Sequence, residues 1–436
     1  MTSEVIVMNK SAIAIAADSA STVSNGDPSL TGARYFKGTN KIFELSNIDP
    51  VGIMIYNAAE INDIPWELLI KAYRKNLSTK NFNTLAEYCE DFFNYINNFD
   101  ELFQDHEMKE YLFNEIINVA VFLATNITKN PEYIDASTED RPSVILKIIS
   151  KDLEIIKEHP LPNYFTDQDV EQAMVEFKDR LTQGLQESLE DAAKQGDTSL
   201  SALLDSINEL DNFSILSIST FFKHYSYFKE QSSTGLVFMG FGQSESFPSY
   251  YEKHCLGYVF NRFIIVDKEY FNITRNKGAT IAAFAQDSMV NTFVLGISAE
   301  TSQAYTNFFK QEITEFAQSL VAEMERELPE NILDLLEHSH QKYIKHTRSL
   351  AFEMNFSPLR DVIKFLPIKE MAHLAETMIS LQSLKEKFTS PTETVSGPVD
   401  VAIITKNEGL VWLNRKHFFD LELNSRYTHR QSREFN

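Results

Sequence analysis

The stretch Thr2–Ser21, TSEVIVMNKSAIAIAADSAS, carries two short apolar runs, EVIVM and AIAIA, on either side of Asn9 and Lys10. Runs of this length, rich in Val, Ile and Ala and bounded by polar turn residues, predict two strands joined as a hairpin. A two-residue loop at Asn9 and Lys10 pairs Met8 with Ser11 and, further out, Thr2 with Ala17. Asp18 then lies beside the chain terminus, and a third strand, NKIFEL, can bring Lys41 to the same place. Removal of Met1 exposes an α-amine on Thr2, which titrates near pH 8 in model peptides and can take the proton from the Thr2 hydroxyl. Lys41, held by Asp18, would favour the alkoxide and the neutral amine, and a backbone N–H would stabilise the tetrahedral oxyanion. On spacing alone the ordinary reading prevails: Thr is a common second residue, Asp a common turn residue and Lys a common solvated charge.

Working outward, GARYFKG, NKIFELS and VGIMIYNA continue as short strands. From Pro65 the spacing turns helical, with Trp66, Leu69, Ile70 and Tyr73 on one face and Pro65 in the first turn. Residues 82–230 read as almost wholly helical, TGLVFMGFG and YVFNRFIIVDKEYF as strands, and about 280–386 as helices. PVDVAIITK and GLVWLNRK close the chain as a hairpin turning at Asn407, Glu408 and Gly409. Strands and helices in separate blocks predict an α+β protein with helices on the faces of antiparallel sheets.

Composition narrows the function classes. With 436 residues, 43% of them hydrophobic, the chain can bury a large core. Its 40 basic and 62 acidic residues, net −22, disfavour nucleic acid and anionic membranes as partners. The longest apolar run, Ile116–Ile127, is too short to span a bilayer, and no secretory signal is legible, so a cytoplasmic protein is expected. Two distant cysteines, Cys89 and Cys255, argue against a disulfide framework or a cysteine-built zinc site and are expected to be buried and inert.

The same residues resemble the proteasome β-subunit family of N-terminal nucleophile hydrolases, nearest to its bacterial proteasome-like homologues. The resemblance lies in TSEVIVMNKSAIAIAADSAS, NKIFEL, VGIMIYNAAEI and SGPVDVAIITKNEGLVWL, and spans roughly residues 2–77, 234–300 and 363–414. It implies a four-layer αββα sandwich and a threonine-type peptidase without cofactor or metal, acting on a peptide or unfolded protein and assembling as a homo-oligomer. In residue terms it implies Thr2 as nucleophile and base, Asp18 as the group that orients and balances the lysine, Lys41 as that lysine, and the backbone N–H at Asn57 as oxyanion donor. The family usually has Gly at that last position. It also supports its threonine with an Asp and a Ser before the GPVDVA strand and another Ser before the third core helix. Counting back from Asp400 places Thr392 and Val395 at the first two, with Glu393 and Thr394 one residue away, and Thr280 precedes AAFAQDSMVNTF. The organisation implied is a core in three parts, 1–81, 231–300 and 363–436 with its C-terminal tail, interrupted by helical insertions at 82–230 and 301–362. Two alternatives stand beside it: a catalytically silent scaffold that binds a protein partner through the insertions, and an amidase of a small non-peptide amide.

Other signals read as structural. His338 and His340 lie two apart and do not share a helix face, so a metal site with His346 is not expected and both are placed at the surface. Gly240–Gly242 reads as a strand bend rather than a dinucleotide loop. Arg415, Lys416 and His417 read as a basic strand end, with contact to a partner subunit or an acidic peptide as the alternative.

Overall fold

The computed structural model describes residues 3–23, 34–99, 101–194, 210–230, 232–324, 332–389, 395–417, 419–420, 422–427 and 429. Its strands are β1 (Ser3–Asn9), β2 (Ala12–Ala17), β3 (Ala20–Val23), β4 (Arg34–Lys37), β5 (Ile42–Glu44), β6 (Val51–Asn57), β7 (Glu60–Ile61), β8 (Ile64–Pro65), β9 (Thr234–Gly240), β10 (Ser249–Val259), β11 (Arg262–Asn272), β12 (Ala279–Ala285), β13 (Asp400–Thr405) and β14 (Gly409–Asn414). They form two five-stranded sheets, ordered β12-β1-β2-β13-β14 and β11-β10-β9-β6-β5, with the short pairs β3-β4 and β7-β8 beside them. Neighbouring strands run antiparallel, so the mixed helix and sheet architecture expected from the sequence is present in that coarse form.

Strand alternation determines which residues meet. Val5, Val7, Ala14, Ala16, Val401 and Ile403 turn one face of the first sheet onto Met371, Ala375, Met378 and Ile379 of the helix Ile368–Thr389. Ile6, Met8, Ile13, Ile15 and Ile404 turn the other face onto Met54, Val237, Met239 and Tyr250 of the second sheet. The far face of that sheet, with Ile53, Ile55, Leu236 and Phe238, packs on Trp66, Leu69 and Tyr73 of the helix Trp66–Leu77 and on Phe92 of the helix Leu85–Asn97. Burying an apolar side chain of this size contributes about 1.5–3 kcal/mol, which is why the helical face at 66–77 reads so clearly in the sequence. A separate cluster unites the helices Asp105–Thr128, Arg141–Glu158, Asp167–Lys194 and Leu210–Lys223 over the tip of the β10–β11 hairpin at Leu256, Val259 and Ile264.

Four expectations need correction. The β1–β2 connection is longer than two residues: Met8 pairs with Ile13, and Glu4 with Ala17. Asn9 causes this, because its side-chain carbonyl accepts from Ser11 N at 2.8 Å and Ala12 N at 3.2 Å, and closes a wider turn. The shift is even, so each side chain keeps its face. Residues 279–285 are strand β12, not the start of a helix: Ala-rich ATIAAFA has helical propensity, but it pairs along the whole of β1, whose backbone needs a partner on that side. Helix begins only at Ser288. The helix Asp105–Thr128 is twice the apolar run read from the sequence, and by length and composition it could span a membrane. Its Leu112, Phe113, Ile116, Val119 and Ala120 are instead core residues of the helical cluster. His340 is buried, because the helix Ile332–Ala351 packs on the helix Ala299–Met324, with Tyr343 stacked on Phe309 at 4.2 Å one turn away.

Candidate active site

Thr2 lies outside the described residues, and the site is built from its neighbour Ser3 outward. Ser3 lies between β12 and β2: it pairs with Ala285 on one side, its Oγ donates to Gln286 O at 2.9 Å, and on the other side its carbonyl accepts from Asp18 N at 3.2 Å. The longer turn thus sets Asp18, rather than Ala16, at the level of Ser3, the amino-terminal end of β1. Asp18 is fully buried and each of its oxygens is engaged twice. Oδ1 accepts from Ser3 N at 3.0 Å and Lys41 Nζ at 2.6 Å; Oδ2 accepts from Ala20 N at 3.0 Å and Ser396 N at 3.2 Å.

Lys41 is also buried, and the NKIFEL segment that brings it belongs to the facing sheet, with Lys41 one residue before β5. Its own carbonyl accepts from Ile55 N, which fixes it to β6. A buried ion pair bridging two sheets is costly to desolvate and depends on satisfied partners, a condition the three backbone donors around Asp18 meet.

Asn57 ends β6 with φ of 63°, in the left-handed region. That backbone is natural for Gly and, next after Gly, for Asn, which accounts physically for an Asn where the resemblance leads one to expect a Gly. The segment is pinned: Ala58 N donates to Ser233 O, Ala58 O accepts from Thr234 Oγ1 at 2.8 Å, and Trp66 Nε1 donates to that same hydroxyl at 2.8 Å.

Two positions that counting failed to supply are corrected by register. β13 pairs with β2 so that Asp400 faces Ala17, which carries the chain just before it past Asp18 and puts the backbone N–H of Ser396, not that of Val395, against the carboxylate. Val395 is buried apolar, and Thr392, Glu393 and Thr394 lie outside the described residues. Ser396 was legible as the serine of a Ser-Gly pair. Gly397 has φ of 87°, and a Cβ there would stand 2.7 Å from Ser19 Oγ, which donates to Pro398 O. Thr280 pairs with Met8, five residues along β12 from the end that meets Ser3, or about 17 Å away at strand rise, and is not part of the site. The residue at the relevant end of β12 is Gln286.

Beside Asn57 opens a cavity of about 680 Å³ whose wall includes Tyr56, Glu252, His254, Gln286 and Asp287. Tyr56 lies flat across Gly235 on the neighbouring strand, where a Cβ would sit 2.0 Å from its ring. Its hydroxyl donates to Glu252 and stands 2.5 Å from His254 Nε2. With its single proton given to Glu252, Tyr56 can only accept from His254, so Nε2 carries the hydrogen. Burial, then the Glu252 hydrogen bond and charge, push the Tyr56 hydroxyl far above its usual range. Burial also pushes the Glu252 carboxyl up, but the hydrogen bonds from His254 and Tyr56 outweigh it and hold that group below the ordinary value. Cys255, next to His254, faces the opposite side and is fully buried.

No family model matches the chain, and no curated protein matches it. A solved structure, Anbu (ancestral beta-subunit) from Yersinia bercovieri, is similar at 9% identity over 99% of this chain and 95% of that one, with a TM-score of 0.25. Likeness at that level carries no weight for fold or activity, so the functional reading rests on the residues.

Proposed function

We infer that the chain is a threonine-type N-terminal nucleophile hydrolase of proteasome-like kind, built on a four-layer αββα sandwich into which the helical segments 82–230 and 301–362 are inserted. One observation carries the reading: a buried Lys41–Asp18 pair at 2.6 Å whose carboxylate also accepts from the backbone of Ser3, the residue next to Thr2. In this reading Met1 is removed and the Thr2 hydroxyl gives its proton to its own α-amine as Oγ attacks a peptide carbonyl. The cationic Lys41 favours the developing alkoxide, and the backbone N–H at Asn57 receives the oxyanion. Collapse of the tetrahedral species breaks the C–N bond, the amine leaves with the proton, and water hydrolyses the ester on Thr2. Asp18 keeps Lys41 in place, and Ser396 keeps Asp18 in place. The substrate is a peptide or an unfolded segment, and no step calls for a cofactor.

The test is intact-protein mass spectrometry on natively produced protein, before and after treatment with an epoxyketone or β-lactone. Loss of Met1 and a single adduct on Thr2, absent in Thr2→Ala, are expected. Retention of Met1 with no adduct would overturn the hydrolase and favour the scaffold. An adduct on Thr2 without cleavage of any peptide in a library would point to the small-amide alternative.

A further inference from the structure

A second cavity, of about 570 Å³, is assembled from four segments distant in sequence. Lys37, Lys71, Arg415, Lys416 and His417 line it, and among the described residues Glu67 is the one carboxylate in that lining. In a chain with 62 acidic and 40 basic residues, this reverses the prevailing charge locally. The cations differ in how they are committed. Lys416 is structural, because its backbone N–H donates to Asp400 Oδ1 at 2.8 Å and its Nζ pairs with Asp400 Oδ2, which anchors the strand end. Lys71 pairs with Glu67 one helical turn away.

Arg415 makes no ion pair among the described residues. Its guanidinium lies 4.6 Å above the Trp412 ring, which fixes it without using its N–H donors. Glu44, whose carboxyl feels the Arg415 charge, is paired with Arg74 at 3.4 Å. Phe419 and Tyr427, in edge contact at 4.9 Å, add an aromatic wall.

The cavity's walls are tied to the candidate active site through Ser19. Gly38 N and Thr39 N donate to Ser19 O, and Ser19 Oγ donates to Pro398 O, so the residue after Asp18 holds two of its walls. We propose that this cavity is a carboxylate subsite that receives an acidic peptide segment lying along the site, with the Arg415 fork as its bidentate donor. A guanidinium stacked on Trp412 and without an ion pair among the described residues matches a carboxylate in geometry as well as charge, and a concave basic wall on an acidic protein concentrates the field where an anion would lodge. The carboxylate can come from Asp or Glu side chains or from a chain end. The subsite rests on the hydrolase reading only for the statement that its occupant is a substrate.

The experiment measures binding by fluorescence anisotropy to the full-length Thr2→Ala protein, so that no turnover is needed. Three rhodamine-labelled decapeptides serve as probes: an amidated one with four glutamates, its glutamine counterpart, and the glutamine peptide with a free C-terminal carboxylate. Preference for the first assigns the subsite to side-chain carboxylates, and preference for the third to a chain end; equal binding of all three overturns the proposal. Arg415→Glu is expected to weaken the preferred peptide at least tenfold and leave the amidated glutamine peptide unchanged. Arg415→Gln, which removes charge without introducing a repulsion, should fall between. Unaltered affinity in both variants overturns the proposal. Charge-dependent binding without a Thr2 adduct would keep the subsite and remove the hydrolase, and an adduct without charge dependence would do the reverse.

Discussion

Asp18→Asn changes one atom at the most densely bonded point of the site, and its cost can be worked from the contacts. The carboxylate accepts four hydrogen bonds, two on each oxygen. An amide has one acceptor oxygen, so its NH2 must face either Ser3 N and Lys41 Nζ or Ala20 N and Ser396 N, donor against donor. Lys41, 3% exposed, also loses its counter-charge. Removing one member of a buried pair costs about 3–5 kcal/mol, out of a total stability of roughly 5–15 kcal/mol. Lys41→Met should cost less, about 1–3 kcal/mol, because Asp18 retains three backbone donors. The double variant should fall short of the sum by more than about 1 kcal/mol, the signature of direct coupling. Guanidinium unfolding followed by the fluorescence of buried Trp66 measures all three. If Asp18→Asn costs under about 1 kcal/mol, or if the singles add, the pair does not organise the site as described.

Three further outcomes follow from individual residues. Asn57→Gly should match the parent within a few tenths of a kcal/mol, whereas Asn57→Ala, forced to hold φ of 63°, should lose about 1 kcal/mol; equal stability of the two in chemical denaturation would contradict the backbone argument. For Glu252 the folded value lies below the unfolded one, so its contribution is present above the ordinary carboxyl range and lost as pH falls through the lowered value. His254→Ala removes the main opposing influence, leaves burial, and should move acid unfolding to higher pH; an unchanged midpoint would show that the network does not bear on stability. Burial pushes the thiols of Cys89 and Cys255 far up, so native protein should leave both unmodified by a disulfide reagent at pH 8, and denatured protein should report two thiols.

What the sequence determined by itself is local. EVIVM and AIAIA carry the β-branched and small apolar residues of buried strands, and TSEVIVMNK…AAD brings Asp18 near the terminus under any short turn, so the neighbourhood of Asp18 was legible before the register was. Trp66, Leu69, Ile70 and Tyr73 likewise declare a helix face because burial follows a period of 3.6. What only the tertiary structure decided depends on partners that no local window contains. Ala279–Ala285 reads as helix by propensity and is a strand because β1 offers it an edge. The backbone N–H of Ser396, not that of Val395, meets Asp18 because β13 takes its register from β2. Lys41 reaches Asp18 from the opposite sheet, and Lys37, Lys71 and Arg415 share a cavity, although their separations in sequence carry no periodic signal. Spacing encodes which face a residue takes; which residues then meet is set by how the two sheets and their covering helices pack, since that packing buries the apolar faces together and carries the polar groups with them.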